Sequence, residues 1–302
     1  MLPFARVTII GLGLIGGSIA RAIQAKMPTV RITGHDADPA VREAARALGF
    51  CDDVSDTPGA AVIDAELVIL CVPVGAIGAA AAGFADDLPA DAIVSDVGSC
   101  KADVARALTE ALPGKIIVPA HPVAGTERSG PEAGFASLFD NRWCIVTPIE
   151  GMPEDAATRV SEFWRRLGAN VETMAPDHHD RVLAVTSHLP HLIAYTIVGT
   201  ASDLEEVTRS EVIKYSAGGF RDFTRIAASD PIMWRDVFLS NREAVLEMLQ
   251  RFSEDLTALQ RAIRWGKGDE LFELFTRTRA IRRGIIEQGQ DDPAPDFGRT
   301  HR

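Results

Sequence analysis

His121 heads the run HPVAGTE, directly after the β-branched stretch 116–120. Histidine alone changes charge near neutrality when unperturbed. At the carboxyl end of a strand it could take the proton of an alcohol while a hydride leaves the same carbon. Ser99, in DVGSCK, would give that oxygen a second hydrogen bond. Further on, GGFRDFTR (218–225) sets Arg221 and Arg225 one helical turn apart. A guanidinium fork grips a carboxylate through paired N–H donors. The formal net charge is −11, so an anionic substrate needs such a local cationic clamp against the global field. The stretch HHDRVLAVTSHLPH (178–191) reads as a helix on which Ser187 and His191 share a face, and Pro190 is expected to kink it. Paired helical histidines could also suit zinc. No HExxH, acidic partner or cysteine cluster accompanies them, so no metal is expected. His178, His179 and His188 read as polar or supporting residues.

A hydride needs an acceptor, and the N-terminus supplies a place for one. Gly11-Leu12-Gly13-Leu14-Ile15-Gly16 follows a strand and opens a helix. That context turns a weak GxGxxG into a dinucleotide loop. Gly11 permits the tight turn, Gly13 lets backbone approach a pyrophosphate, and Gly16 allows close helix–strand packing. Leu14 and Ile15 open the helix whose N-terminus faces the phosphates. Asp36 ends the second strand, where a carboxylate accepts from the adenosine ribose and repels a 2′-phosphate. NAD is therefore expected over NADP, although Arg42 could reach toward a 2′-phosphate. Val72 and Pro73 end a later strand and should line the cofactor crevice beside Ser99, since ligands lie outside the carboxyl ends of strands.

These residues require a particular scaffold. The runs 7–10, 30–36, 67–72, 92–97, 116–120 and 143–148 are short and β-branched, mostly apolar without strict alternation, and are interspersed with Ala-rich helical stretches. Such runs predict a parallel sheet covered on both faces, a doubly wound α/β domain of the Rossmann type. A helix over 154–167 and a strand over 170–174 complete it, giving a nucleotide domain at 1–175. From Pro176 the period is helical, giving an all-α substrate and dimerisation domain at 176–289, with 290–302 as a disordered tail. Apolar residues from Phe238 to Ile263 recur at helical spacing, which predicts one helix over 231–265, roughly 45–50 Å long. A stripe that long predicts a homodimer through this domain.

Composition narrows the class. Of 302 residues, 46% are hydrophobic and 24% charged, as in a globular protein with a substantial core. The negative charge argues against nucleic acid. No stretch approaches the roughly 18 uninterrupted apolar residues of a membrane helix. The start lacks the basic front and cleavage site of a signal peptide. Cys51, Cys71, Cys100 and Cys144 show no CxxC spacing and suit reduced thiols of the cytoplasm. Cys100, beside Ser99, reads as packing.

Taken in order, GLGLIGGS, DVGSCK, HPVAGTERSG, HDRVLAVTSHLPH and GGFRDFTRIA resemble the prephenate/arogenate dehydrogenase family over roughly residues 5 to 265. The resemblance implies NAD-dependent oxidation of a cyclohexadienol, prephenate or arogenate, with loss of carbon dioxide. It implies that His121 is the catalytic histidine bonded to the ring hydroxyl, with Ser99 assisting, and that Arg225 binds a substrate carboxylate. Ser187, His191 and Thr126 match the substrate pocket. Glu127, Asp222 and Arg225 resemble an ionic set gating it, and Met233-Trp234 match residues that can approach a partner subunit's site. A lysine-dependent reductase of similar architecture is the nearest rival, but Lys214 is the only lysine between Lys115 and Lys267. A silent NAD-binding protein would not need His121, Ser99 and Arg225 together.

Overall fold

The computed structural model describes residues 2–126, 128–203 and 218–287. Chain contacts divide it into two units, Met1–Leu246 and Glu247–Arg302.

In the first unit, β1 (Arg6–Ile10), β2 (Arg31–His35), β3 (Asp53–Val54), β4 (Leu67–Leu70), β5 (Ile93–Asp96) and β6 (Ile116–Ile117) form one parallel sheet in the order β3-β2-β1-β4-β5-β6. The order reverses between β1 and β4, which opens a crevice above the strand ends. Alternation along each strand sends its side chains to two separate cores. Leu67, Ile69 and Ile93 join Ile19 and Ile23 of α1 (Leu14–Lys26) on one face. Val68, Leu70 and Val94 join Ile77 of α4 (Ile77–Ala82, after α2 at Pro39–Leu48 and α3 at Pro58–Val62) and Leu108 of α5 (Ala102–Ala111) on the other. Both faces are dry, which is why these strands lack a polar register.

Two expectations need correction. The run 143–148 is not part of the parallel sheet. It forms β8 (Trp143–Val146) in a second, three-stranded sheet, antiparallel to β7 (Ala120–Pro122) and parallel to β9 (Asn170–Thr173). Continuous burial cannot tell the two sheets apart, because α6 (Glu154–Arg166) covers the second through Val160, Phe163 and Trp164 much as other helices cover the first. As a result His121 lies within β7, paired with Ile145, rather than after a strand.

The stretch 231–265 is two helices, α10 (Pro231–Ser240) and α11 (Arg242–Arg264), which follow α9 (Gly218–Thr224) and a short 3₁₀ turn, Arg225–Ala228. Asn241 breaks the run at φ −105° and ψ 34°. Its side-chain amide is drawn inward to the Asp180 carbonyl at 2.8 Å and His188 Nδ1 at 3.0 Å. Polar anchoring outweighs helix continuity there, and an apolar periodicity carries no sign of it.

The helix departs from regular α geometry just ahead of Pro190. Between α7 (Pro176–Leu183) and α8 (Leu189–Ser202) the chain widens into a π turn over Ala184–His188, and Pro190 sits in the first turn of α8, where its missing N–H costs little. The span Pro176–Ser202 is long and apolar enough to cross a membrane by length and mean composition, although polar residues interrupt its apolar runs. Its inward face nevertheless carries buried His179, Asp180 and His188.

The second unit holds the greater part of α11 and α12 (Gly268–Ile285), with Gly266 at φ 64° in the intervening turn. Leu256, Ile263, Trp265, Phe272, Phe275 and Ile281 are all exposed there. The 290–302 tail lies outside the described residues.

Candidate active site

The β1–α1 turn is shaped by its glycines. Gly11 has φ +99°, and a Cβ there would stand 2.5 Å from the Cys71 carbonyl oxygen. A Cβ on Gly16 would meet the Gly11 oxygen at 1.9 Å. Gly13 is the opposite case, with nothing within 4 Å of its Cβ position. That open cradle faces the first turn of α1, opened by half-buried Leu14 and Ile15 and free of acidic residues, so an anion meets an unopposed helix dipole. The residues present fit a dinucleotide pyrophosphate.

Asp36 stands beside this loop. Its Oδ2 accepts from Leu12 N at 2.8 Å and its Oδ1 from Asp38 N at 2.9 Å. Arg42 is committed elsewhere: Nη1 donates to the Asp36 carbonyl at 2.7 Å and the Ala37 carbonyl at 3.1 Å, and Nε lies 3.4 Å from Asp56. The arginine that could have recognised a 2′-phosphate instead fastens the chain under Asp36. Val72 is half-buried and Pro73 exposed at the end of β4.

Behind Ser99, which is half-buried, lies a polar core that spacing alone did not reveal. Asp96, at the end of β5, pairs with Lys101, and both side chains are wholly buried. Gly98 N donates to Asp96 Oδ2 at 2.7 Å, and a Cβ on Gly98 would press on Val74 at 2.7 Å, so this turn requires glycine. Lys101 Nζ also donates to the Ala120 carbonyl at 2.8 Å, tying the Ser99 loop to the residue before His121. Burial pushes the Asp96 carboxyl up, while Lys101 and the N–H groups of Gly98 and Ala120 pull it back.

From α7, the Asp180 carboxylate accepts from Lys101 N at 2.7 Å and Ala102 N at 2.9 Å, capping α5 from another helix. His179 Nδ1 lies 2.8 Å from Asp180 Oδ1, and His179 Nε2 lies 2.9 Å from His121 Nδ1. Burial raises the Asp180 carboxyl, but His179 and the two N–H donors outweigh it, leaving it below its ordinary value. Burial, then the neighbouring His179, Lys101 and His188, hold the His121 imidazole well below its ordinary value. His179 is also lowered, chiefly by burial. His179 and His188 are legible in the sequence only as supporting polar residues, Asp96 and Asp180 carry no signal beyond lying within motifs, and Asn241 carries none.

The other expected substrate residues gather on α8 to α10. His191 stacks on Trp234 with ring centroids 3.6 Å apart, and its Nδ1 lies 2.8 Å from the Ser187 carbonyl. Burial lowers His191, the Ser187 carbonyl raises it, and the charge of Arg225 lowers it again. Trp234 is buried within its own chain, edge-on to His188, and packs with Cys100 and Val237; Met233 is exposed. Burial pushes His188 down to about 4, and the Ser99 backbone faces it. Cys100 is fully buried with its thiol directed at the Val237 carbonyl, in keeping with packing. Asp222 lies 3.4 Å from Arg221, both well exposed. Thr126 Oγ1 accepts from Arg128 N at 3.2 Å, and Glu127 lies outside the described residues, as does Lys214.

Residues 19–173 match the family model for the prephenate dehydrogenase nucleotide-binding domain, and residues 175–277 match that for the prephenate dehydrogenase dimerization domain. The glycine loop precedes the first match and rests on its geometry. A cyclohexadienyl dehydrogenase of Zymomonas mobilis is 46% identical over 93% of this chain and 96% of its own length. A prephenate dehydrogenase of Bacillus subtilis is 33% identical over 92% of this chain and 76% of its own. The crystal structure of prephenate dehydrogenase from A. aeolicus, in complex with hydroxyphenyl propionate and NAD+, superposes with a TM-score of 0.87 at 34% identity, covering 94% of this chain and 98% of that one. With the dinucleotide cradle, the buried histidine and these likenesses in agreement over nearly its whole length, the chain belongs to the prephenate dehydrogenase family.

Proposed function

We propose that this chain oxidises prephenate, arogenate or both, using NAD and releasing carbon dioxide. The observation that carries the reading is His121: buried, held neutral, and anchored through Nδ1, so that Nε2 is left to face a substrate hydroxyl. Gly11, Gly13, Leu14, Ile15, Gly16, Asp36, Val72, Pro73 and Ser99 would hold NAD, which would supply the acceptor for a hydride from the hydroxyl-bearing ring carbon. His121 takes the hydroxyl proton, assisted by Ser99. The bond to the ring carboxylate then breaks, its electron pair enters the ring, and the aromatic product takes up a proton at the ring oxygen. Aromatisation drives the sequence forward, so the protein's work is to orient the ring and hold the anion. The A. aeolicus relative was solved with hydroxyphenyl propionate, a phenol bearing a carboxylate side chain. Arg225, whose charge is felt at His191, supplies a cation for such a carboxylate, with His191, Ser187, Thr126, Glu127, Asp222 and Trp234 completing the pocket. The division of labour follows 1–175 for the nucleotide and 176–289 for the substrate.

NADH absorbance should rise with NAD and prephenate or arogenate, and only weakly with NADP, because Asp36 repels the 2′-phosphate and Arg42 is occupied. No turnover with either substrate would sink the reading. In the same assay Arg225→Lys should raise KM far more than it lowers kcat, since an ammonium cannot replace the fork. An unchanged KM would move the clamp to another residue.

The apolar side chains exposed on α11 and α12 support a homodimer through this segment. Sedimentation equilibrium should return twice the 32.5 kDa chain mass, and a monomer at micromolar concentration would exclude it. The four unpaired cysteines are consistent with a cytoplasmic protein.

A further inference from the structure

We infer that His179 and Asp180 form a relay that sets the tautomer of His121, making His179 a positioning residue for the reaction proposed above. Three buried side chains lie in line: Asp180 Oδ1 is 2.8 Å from His179 Nδ1, and His179 Nε2 is 2.9 Å from His121 Nδ1. The protons in this line are assigned from the hydrogen-bond network. An ionised carboxylate only accepts, so His179 Nδ1 carries the hydrogen and donates it to Asp180. Neutral His179 then presents a bare Nε2, which only accepts. His121 Nδ1 must therefore carry its own hydrogen and donate it to His179. That leaves the lone pair on His121 Nε2, the nitrogen a base needs toward the substrate hydroxyl.

The relay is anchored at its far end. Asp180 accepts from Lys101 N at 2.7 Å and Ala102 N at 2.9 Å, which fixes it as an acceptor against the start of α5. Asn241 Nδ2 donates to the Asp180 carbonyl at 2.8 Å, holding the backbone of α7 in register. His121 sits on β7 and His179 on α7, so the line crosses from the second sheet to the first helix of the helical segment. The His121 and His179 rings meet edge to face, with centroids 5.1 Å apart, so neither can turn without breaking the line. The inference rests on the oxidation proposed above only for the identity of the proton that His121 accepts.

Two variants separate positioning from support. Asn at 179 can still reach Asp180 but is too short for His121. Gln can place its carbonyl oxygen where Nε2 stood and accept from His121 Nδ1–H. His179→Asn should lower kcat by about 10²-fold with little change in KM, the scale of a misplaced reacting group, and His179→Gln should recover most of that loss. Imidazole ¹⁵N shifts of the wild-type chain with NAD alone give a readout independent of turnover, and should show His121 protonated at Nδ1 and bare at Nε2. A wild-type kcat in His179→Asn, equal losses in both variants, or a hydrogen on His121 Nε2 would each overturn the relay. Inactivity of the wild type toward both substrates with the expected ¹⁵N pattern would overturn the proposed reaction and leave the relay standing.

Discussion

His121→Asn is expected to lower kcat by about 10²–10⁴-fold, the contribution of a positioned general base, while leaving NAD affinity near its original value. The substitution is informative because of how His121 is held. Asparagine can keep the inward hydrogen bond, donating from Nδ2 to His179 Nε2 where His121 Nδ1 lay at 2.9 Å, so β7 keeps its anchor. What disappears is the outward nitrogen. The dinucleotide loop, built from Gly11 to Gly16 and Asp36, does not depend on that side chain. The wild-type pH profile should carry the same signature. Burial, followed by His179, Lys101 and His188, lowers the His121 imidazole well below the usual histidine value, so it is neutral and competent at neutral pH. Activity should therefore persist as pH falls through the ordinary histidine range near 6.5 and fail only below it. An acid limb at or above that range, or an Asn variant turning over at the wild-type rate, would take His121 out of the mechanism.

The parts of this site differ in how plainly they show in the sequence, for physical reasons. The dinucleotide loop is legible because its requirements are local: a turn that only glycine can make, a helix start, and an acid one strand away. The strand ends bearing Ser99 and Val72 follow from the same βαβ logic. His121 is legible as a reactive side chain, but its setting is not. Its partner strand, β8, lies 20-odd residues on and is as apolar as a parallel strand, and only tertiary packing assigns it to a separate sheet. The groups that tune His121 are less legible still. His179–Asp180 reads as an ordinary polar helix face until α7 is seen against the start of α5. Asn241 sits in an unbroken apolar rhythm, and nothing in a helical period predicts that one amide will leave it to bind a carbonyl 61 residues earlier. Lys101 follows a site motif and looks like a surface cation, yet no part of its side chain is exposed.

That lysine carries the second large expectation. Lys101→Met should destabilise the fold by about 3–5 kcal/mol, the usual cost of stripping one partner from a buried ion pair. Methionine matches the length and flexibility of the lysine stem, so packing changes little, and the backbone N–H of residue 101 still meets Asp180. The loss falls on Asp96, which keeps its N–H donors from Gly98 and Ala120 but no countercharge. Burial already pushes this carboxyl up, and without Lys101 it must rise further. The sign of the pH dependence follows. A carboxyl raised in the folded state binds more protons folded than unfolded, so stability is lost as pH rises toward the folded value. The deficit of Lys101→Met against wild type should be largest at neutral pH and narrow on acidification toward the carboxylate range. Adding Asp96→Asn removes the stranded charge and should restore part of the loss. Urea unfolding of the three proteins across pH would decide the matter. A pH-independent deficit would make Lys101 a packing element instead, and its link to the Ala120 carbonyl would then be the contact by which it holds β7, and with it His121, beside the end of β5.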